Sequence, residues 1–186
     1  MAQVCLVGDP EVNLRYELLS RETARDALAT YDLREPYENT VAVETVSLGS
    51  AVALLNDLNW YLVRFARDAF VREESVSETE WLSRAVATGV RDDDLDPDET
   101  DRFLKLYGVV EDETGTRDGD GTDGEEGESE AQDEAGATDD GAPPKLVEPM
   151  YVTRTGRSLP EYDLRPVADT LTVRVTEAEF GGERQR

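Results

Sequence analysis

Between Glu111 and Pro143 the chain carries no aromatic residue and no aliphatic side chain larger than alanine. A stretch built from Gly, Asp, Glu, Ser and Thr cannot bury enough apolar surface to offset the entropy of ordering, so residues 111–143 are expected to be a disordered acidic insertion. Any fold must be assembled from residues 1–110 and 144–180, with 181–186 as a flexible tail. These parts amount to about 150 residues, enough for one ordinary core. Loop closure costs grow only with the logarithm of length, so both parts can belong to one domain, and deleting the insertion should leave the fold intact.

The 186-residue chain has 43 acidic and 19 basic residues, for a formal charge of -24. The insertion holds 14 of the acids and one Arg, which leaves the remainder at about -11. Of the basic residues only Lys105 and Lys145 are lysines. Self-repulsion on this scale destabilises a compact protein in dilute buffer, whereas molar salt shortens the screening length to roughly 3 Å and removes most of the penalty. Because the acidity persists outside the insertion, a salt-adapted protein of a very salty cytoplasm is favoured over an ordinary protein with an acidic tail. Direct nucleic-acid binding is not expected, since it depends on basic residues neutralising phosphates and weakens steeply with salt.

No membrane span is expected either. The opening MAQVCLVGDP lacks a basic region before its short apolar run, and Leu48 to Phe70 is interrupted by Asp57, Arg64, Arg67 and Asp68. Cys5 is the single cysteine, so no internal disulfide or paired-thiol motif can form. The cytoplasm is the consistent compartment.

Periodicity predicts an α+β fold. Residues 2–7 form an apolar run closed by Gly8, Asp9 and Pro10, which suits a buried strand. Val12, Leu14, Tyr16 and Leu18 alternate with polar residues and predict a strand over 12–19; a helix capped by Asp9, with Pro10 at its first position, is the competing reading. Ser20 suits the N-cap of a helix over 20–30, and TVAVETVS predicts a strand over 40–47. Apolar residues recur every three or four positions from Val52 to Ala69, predicting one long central helix over 48–70. Ser77 with Glu80 forms a capping-box pattern for a helix over 77–91, and Asp96, Pro97, Asp98 and Glu99 open another over 97–107 that stops at Gly108. After the insertion, strands are predicted through Tyr151–Thr153 and Thr170–Val175, with a turn at Gly156 between them.

Tyr31 to Val46, YDLREPYENTVAVETV, can be laid on Tyr162 to Thr176, YDLRPVADTLTVRVT, with one gap at Glu35. Two related β units at the chain ends would then build a small mixed or antiparallel sheet around a three-helix insertion; chance similarity between short biased segments is the alternative.

The chain has no histidine, which excludes Ser-His-Asp and Cys-His catalysis, imidazole bases and histidine metal sites within it. Neither a GxxxxGK[ST] loop nor a GxGxxG fingerprint occurs, and no catalytic residue, metal ligand or cofactor is indicated. Cys5 reads as a buried packing residue. Asp118, Asp120 and Asp123 faintly suggest a calcium loop, but diffuse cation condensation on a polyanion explains them better. Asn56, Asp57 and Asn59 read as a wet helix face or caps for a neighbouring loop rather than as a metal site.

The repeated YDLR segments supply the candidate ligand-binding residues Tyr31, Asp32, Arg34, Tyr162, Asp163 and Arg165. Arg34 and Arg165, if brought together, could clamp a carboxylate or phosphate bidentately. The structural alternative is that each Asp and Arg holds the approach to its own strand.

The N-terminal stretch CLVGDPEVNLRYELLSRETARDALATYDLREPYENTVAVETVSLGSAV, with LVEPMYVTRTGRSLPEYDLR near the C-terminus, resembles a family of uncharacterised haloarchaeal proteins known only as a domain of unknown function. That resemblance implies salt adaptation and no activity. The leading expectation is a non-enzymatic protein-binding or regulatory module, with a protein partner or a second copy engaged through aromatics such as Trp60, Tyr61 and Trp81. The alternative is a small anionic-ligand-binding domain, or an enzyme independent of histidine, built on the YDLR segments.

Overall fold

In a computed structural model, which describes residues 1–111 and 141–182, seven strands form one mixed sheet. They are β1 (Ala2–Gly8), β2 (Thr40–Thr45), β3 (Ala66–Glu73), β4 (Trp81–Ser83), β5 (Phe103–Val110), β6 (Lys145–Thr153) and β7 (Asp169–Arg174), in the order β2-β1-β3-β4-β7-β5-β6. Only β4 and β7 pair in parallel; the other neighbours are antiparallel. The helices are α1 (Leu14–Leu19), α2 (Glu22–Leu28), α3 (Leu48–Asp57), α4 (Asn59–Phe65), α5 (Arg84–Arg91) and α6 (Glu177–Gly182). The α+β class is thus the one expected, and strands from both chain ends share the sheet. None of the described helices is long and apolar enough to cross a membrane.

Alternation along the strands gives the sheet two different faces. Val4 and Leu6 of β1, Val41 and Val43 of β2, Ala69 and Val71 of β3 and Leu82 of β4 pack with Leu14, Leu18, Leu28, Leu55, Leu58 and Val86 of the helical layer. Cys5 and Val7 of β1 point the other way and meet Phe70, Trp81, Tyr107, Leu146, Leu171 and Val173. Since β1 and β6 are five strands apart in the order, such a cluster requires the sheet to curl and bring its two ends over a common inner face. The rim is joined where Glu38 N–H donates to the Pro144 carbonyl at 2.8 Å and Lys145 pairs with Glu38 at 3.3 Å.

Several local expectations give way to tertiary context. Residues 12–19 contain helix α1 rather than a strand: Asn13 accepts from Tyr16 N–H at 2.9 Å, and the buried pair Leu14 and Leu18 is spaced four apart. The cap is therefore Asn13, not Asp9. α2 starts at Glu22, and Ser20 closes α1 instead of opening α2.

The long helix expected over 48–70 is two short helices meeting at Leu58, followed by β3. Ala69, Phe70 and Val71 are consecutive buried residues, which a strand between β1 and β4 accommodates on its two faces and a one-sided helix does not. The helix expected over 77–91 is β4 followed by α5, whose cap is Ser83; Ser77 accepts from Glu80 N–H at 3.1 Å in the preceding turn. The helix expected over 97–107 survives only as a single 3-10 turn, Pro97–Glu99, and Phe103–Val110 is strand β5. Cap signals mark a turn without setting how far the helix runs, and FLKLYGVV is a nearly continuous apolar run that suits a strand buried on both faces.

The segment between the two β units thus contributes three helices and also the sheet's middle strands. Gly108 lies within β5 rather than ending a helix: a Cβ there would sit 2.6 Å from Val167, 2.8 Å from Val147 and 2.9 Å from Tyr162, so only glycine lets the C-terminal loop lie on β5.

Candidate functional site

Strand β4 pairs with β3 only through Phe70 and Val71, because after Ser83 the chain turns into α5. The first half of β3 is left without a β4 neighbour, and Asp68 lies there. Behind it is a cavity of about 340 Å³ lined by Asp68, Ser83, Lys105, Tyr151, Val173 and Glu179. Its floor follows one rung of the sheet. Tyr151 on β6 stands opposite Lys105 on β5, Lys105 opposite Val173 on β7, and Val173 opposite Trp81 on β4. The roof is α6, docked by Phe180 against Phe103 at 5.0 Å between ring centroids and by Glu179, which accepts from Ser83 Oγ and Thr176 N–H, both at 2.7 Å.

A charged cluster forms the inner wall. Lys105 Nζ lies 2.8 Å from Asp68 Oδ2, Tyr107 Oη donates to the same oxygen at 2.6 Å, and Ala69 N–H donates to Oδ1 at 2.9 Å. Both ion-pair partners are largely buried, with side-chain exposures of 12% for Lys105 and 18% for Asp68. The ammonium also lies 5.2 Å from the Tyr107 ring and 5.5 Å from the Tyr151 ring. Burial pulls the Lys105 pKa down, but the Asp68 carboxylate outweighs it and holds the ammonium above its ordinary range. Burial, then Asp68, pushes the Tyr107 hydroxyl up. The same two causes push the fully buried Cys5 thiol up to about 12. Lys105 is therefore a fixed cation, and Cys5 and Tyr107 are fixed neutral groups.

Residues 2–109, more than half of the chain, match a family of unknown function, DUF5804. The chain belongs to the DUF5804 family. No curated protein and no solved structure matches it. The DUF5804 match spans β1 to β5 and so includes Asp68, Ser83, Lys105 and Tyr107, while Tyr151, Val173 and Glu179 come from the chain beyond it.

In this DUF5804 protein the two YDLR segments attach to opposite ends of the strand order. Arg34 exchanges backbone hydrogen bonds with Ala42 on the outer side of β2, and its guanidinium pairs with Glu44 at 3.2 Å and Asp32 at 3.6 Å. Tyr31 packs against the helix-covered core. Arg165 pairs with Glu148 of β6, and Tyr162 Oη donates to the Glu148 carbonyl at 2.7 Å. Asp163 is exposed. Arg34 and Arg165 thus engage different carboxylates rather than a shared one. Arg34 makes no direct contact with the rung that floors the cavity; it binds Glu44, Glu44 accepts from Gln3, Gln3 accepts from Arg72, and Arg72 lies 5.0 Å over Trp81.

Asn56 and Asn59 accept from Arg84 at 3.1 and 2.7 Å, so they hold the first residue of α5. The aspartates at 118, 120 and 123 lie outside the described residues. Periodicity did not single out Asp68, Lys105, Ser83 or Glu179. One signal is present: Lys105, one of two lysines, is the single charge in the apolar run from Phe103 to Val110 and faces the same side as Phe103, Tyr107 and Val109.

Proposed function

We propose that this chain is a non-enzymatic binding domain whose small polar ligand sits between Lys105, Tyr151, Val173 and Glu179. The carrying observation is the Asp68–Lys105 pair with Tyr107 at the cavity wall. Removing two charges from water costs several kcal/mol per ion, and apolar residues of similar volume commonly give equal or better stability. A charge cluster kept beside a cavity is better explained by recognition than by stability. For Cys5, Lys105 and Tyr107 the chemistry argues for binding over catalysis, because these three are held away from the pKa range of a neutral-pH acid or base. The net charge supports work in a salty cytoplasm.

The test is amide mapping by NMR of the full chain in molar KCl against fractions of a metabolite extract. Shifts concentrated at Ser83, Lys105, Tyr151 and Val173 are expected. Fractions that move no amides there, or only amides elsewhere, would contradict the reading.

One observation favours a protein partner as a second reading. Trp60 and Val63 on α4 are 51% and 76% exposed, Arg64 stacks 4.2 Å over Trp60, and Asn59 to Arg67 contains two arginines and no acid within a chain of charge -24. That strip suits an acidic, aromatic-tolerant segment of another protein. A photo-crosslinker at position 63 should then capture an acidic partner and lose it in Arg64→Glu; equal capture from a control position at Thr153 would remove the support.

A further inference from the structure

The cavity presents opposite charges on the two sides of β7. Lys105 is β7's neighbour on β5, and Glu179 is tied to Ser83 at the end of β4, β7's neighbour on the other side. Two strand spacings, about 10 Å, separate β5, which carries Lys105, from β4, whose Ser83 holds Glu179 of α6. Between them lie Val173 and Val175, with the Tyr151 ring beside Lys105.

Each charge has unused capacity among the described residues. Lys105 gives one N–H to Asp68 and a second interacts with Tyr107, and an ammonium has three. Glu179 uses Oε2 twice, for Ser83 Oγ and Thr176 N–H, and its Oε1 makes no hydrogen bond to a described residue. Asp68, by contrast, is committed to Lys105, Tyr107 and Ala69 N–H, so it anchors the lysine and does not itself reach for a ligand.

We propose that the cavity takes a small zwitterion of the amino-acid type, with its carboxylate on Lys105 Nζ, its ammonium on Glu179 Oε1 and its apolar part over Val173 and Val175. A volume of about 340 Å³ is at the small end of ligand sites and suits such a molecule. A simple anion would satisfy Lys105 but face Glu179, and a simple cation would do the reverse. The mixed lining therefore discriminates against both by leaving a like charge or an unpaired group in a partly buried site.

This inference rests on the pocket reading, and the experiment separates the two. Calorimetric titration of the full chain in molar KCl uses glycine, L-alanine and 4-aminobutyrate as zwitterions. Propanoate, succinate and isopropylamine serve as probes of single charge sign. At least one zwitterion should bind ~10- to 100-fold more tightly than every one of those. Lys105→Met and Glu179→Gln should each weaken that zwitterion by about tenfold or more. Because Lys105→Met strands Asp68, Glu179→Gln is the variant that holds if the first does not fold; its amide oxygen can still accept from Ser83.

If propanoate or succinate binds as well as the zwitterions, the site is real and the assigned class is wrong. If no zwitterion binds, or binding ignores Glu179→Gln, the inference fails. Extract mapping then decides separately whether the pocket binds anything.

Discussion

On the face covered by α1 to α5 the buried residues of the core are all Val, Leu or Ala, whereas the inner face places Asp68, Lys105 and Tyr107 among Phe70, Trp81, Val173 and Cys5. The covered face has little chemistry beyond packing, and it accounts for most of the buried aliphatic residues. The inner face encloses less apolar surface, keeps an ion pair out of water and opens onto a cavity beside the short strand β4. A sheet with one face devoted to packing can spend the other on recognition, because the cost of a charged wall is offset by the core on the far side.

Substitutions can break or sharpen that contrast. Phe70→Ala should have the largest effect, since Phe70 is fully buried and contacts both the Trp81 and Tyr107 rings; a loss of about 3–5 kcal/mol is expected from urea unfolding in molar KCl. A loss below that of a surface substitution would show that the inner face is not a core at all. Asp68→Ala comes next, at about 2–3 kcal/mol after allowance for partial exposure, because it strands the Lys105 ammonium and the Tyr107 hydroxyl.

Alkaline pH should then separate the faces without any mutation. Cys5 is held protonated when folded, so the unfolded chain loses that proton first, and stability falls as pH rises from the ordinary 9.0 toward about 12. By pH 10 this one group accounts for about 1 kcal/mol, and Cys5→Ala should flatten the early part of the decline. Titration of unfolding free energy against pH checks both; an unchanged slope in Cys5→Ala would place the thiol in a more hydrated setting than the inner face provides. The smallest effect is at the α4 strip, where Trp60→Ala with Val63→Ser should stay within about 0.5 kcal/mol of wild type, as befits exposed side chains. A larger loss would make those residues part of the packed layer.

How much of this was legible in the sequence follows from the same contrast. β1, β2, β6 and β7 were readable because β-branched alternation and turn residues bound them, and the helical stripe of α3 and α4 was readable up to Phe65. β3 was not, because a strand buried on both faces has no period of two; ARDAFVRE continues a helical spacing until its partners β1 and β4 are known. β5 was hidden by the cap at Asp96, a correct local signal for one turn that tertiary pairing ends at Glu99.

The site was less legible than the fold. Asp68 and Lys105 are 37 residues apart and lie on strands that are not neighbours, and Glu179 comes from the far end of the chain. Only the curl of the sheet brings them to one cavity. The YDLR repeat was visible because it is local, and its arginines meet local carboxylates.

On the proposed reading, the inner charge cluster is kept for recognition and not for stability. The most direct test is the thermal midpoint, in molar KCl, of the variant combining Asp68→Asn, Lys105→Met and Tyr107→Phe, which removes both charges and the phenol and keeps a side-chain oxygen for Ala69 N–H. A midpoint equal to or above wild type is expected, together with loss of the amide shifts around the cavity. A fall comparable to that of Phe70→Ala would contradict it and make the cluster part of what holds the fold together.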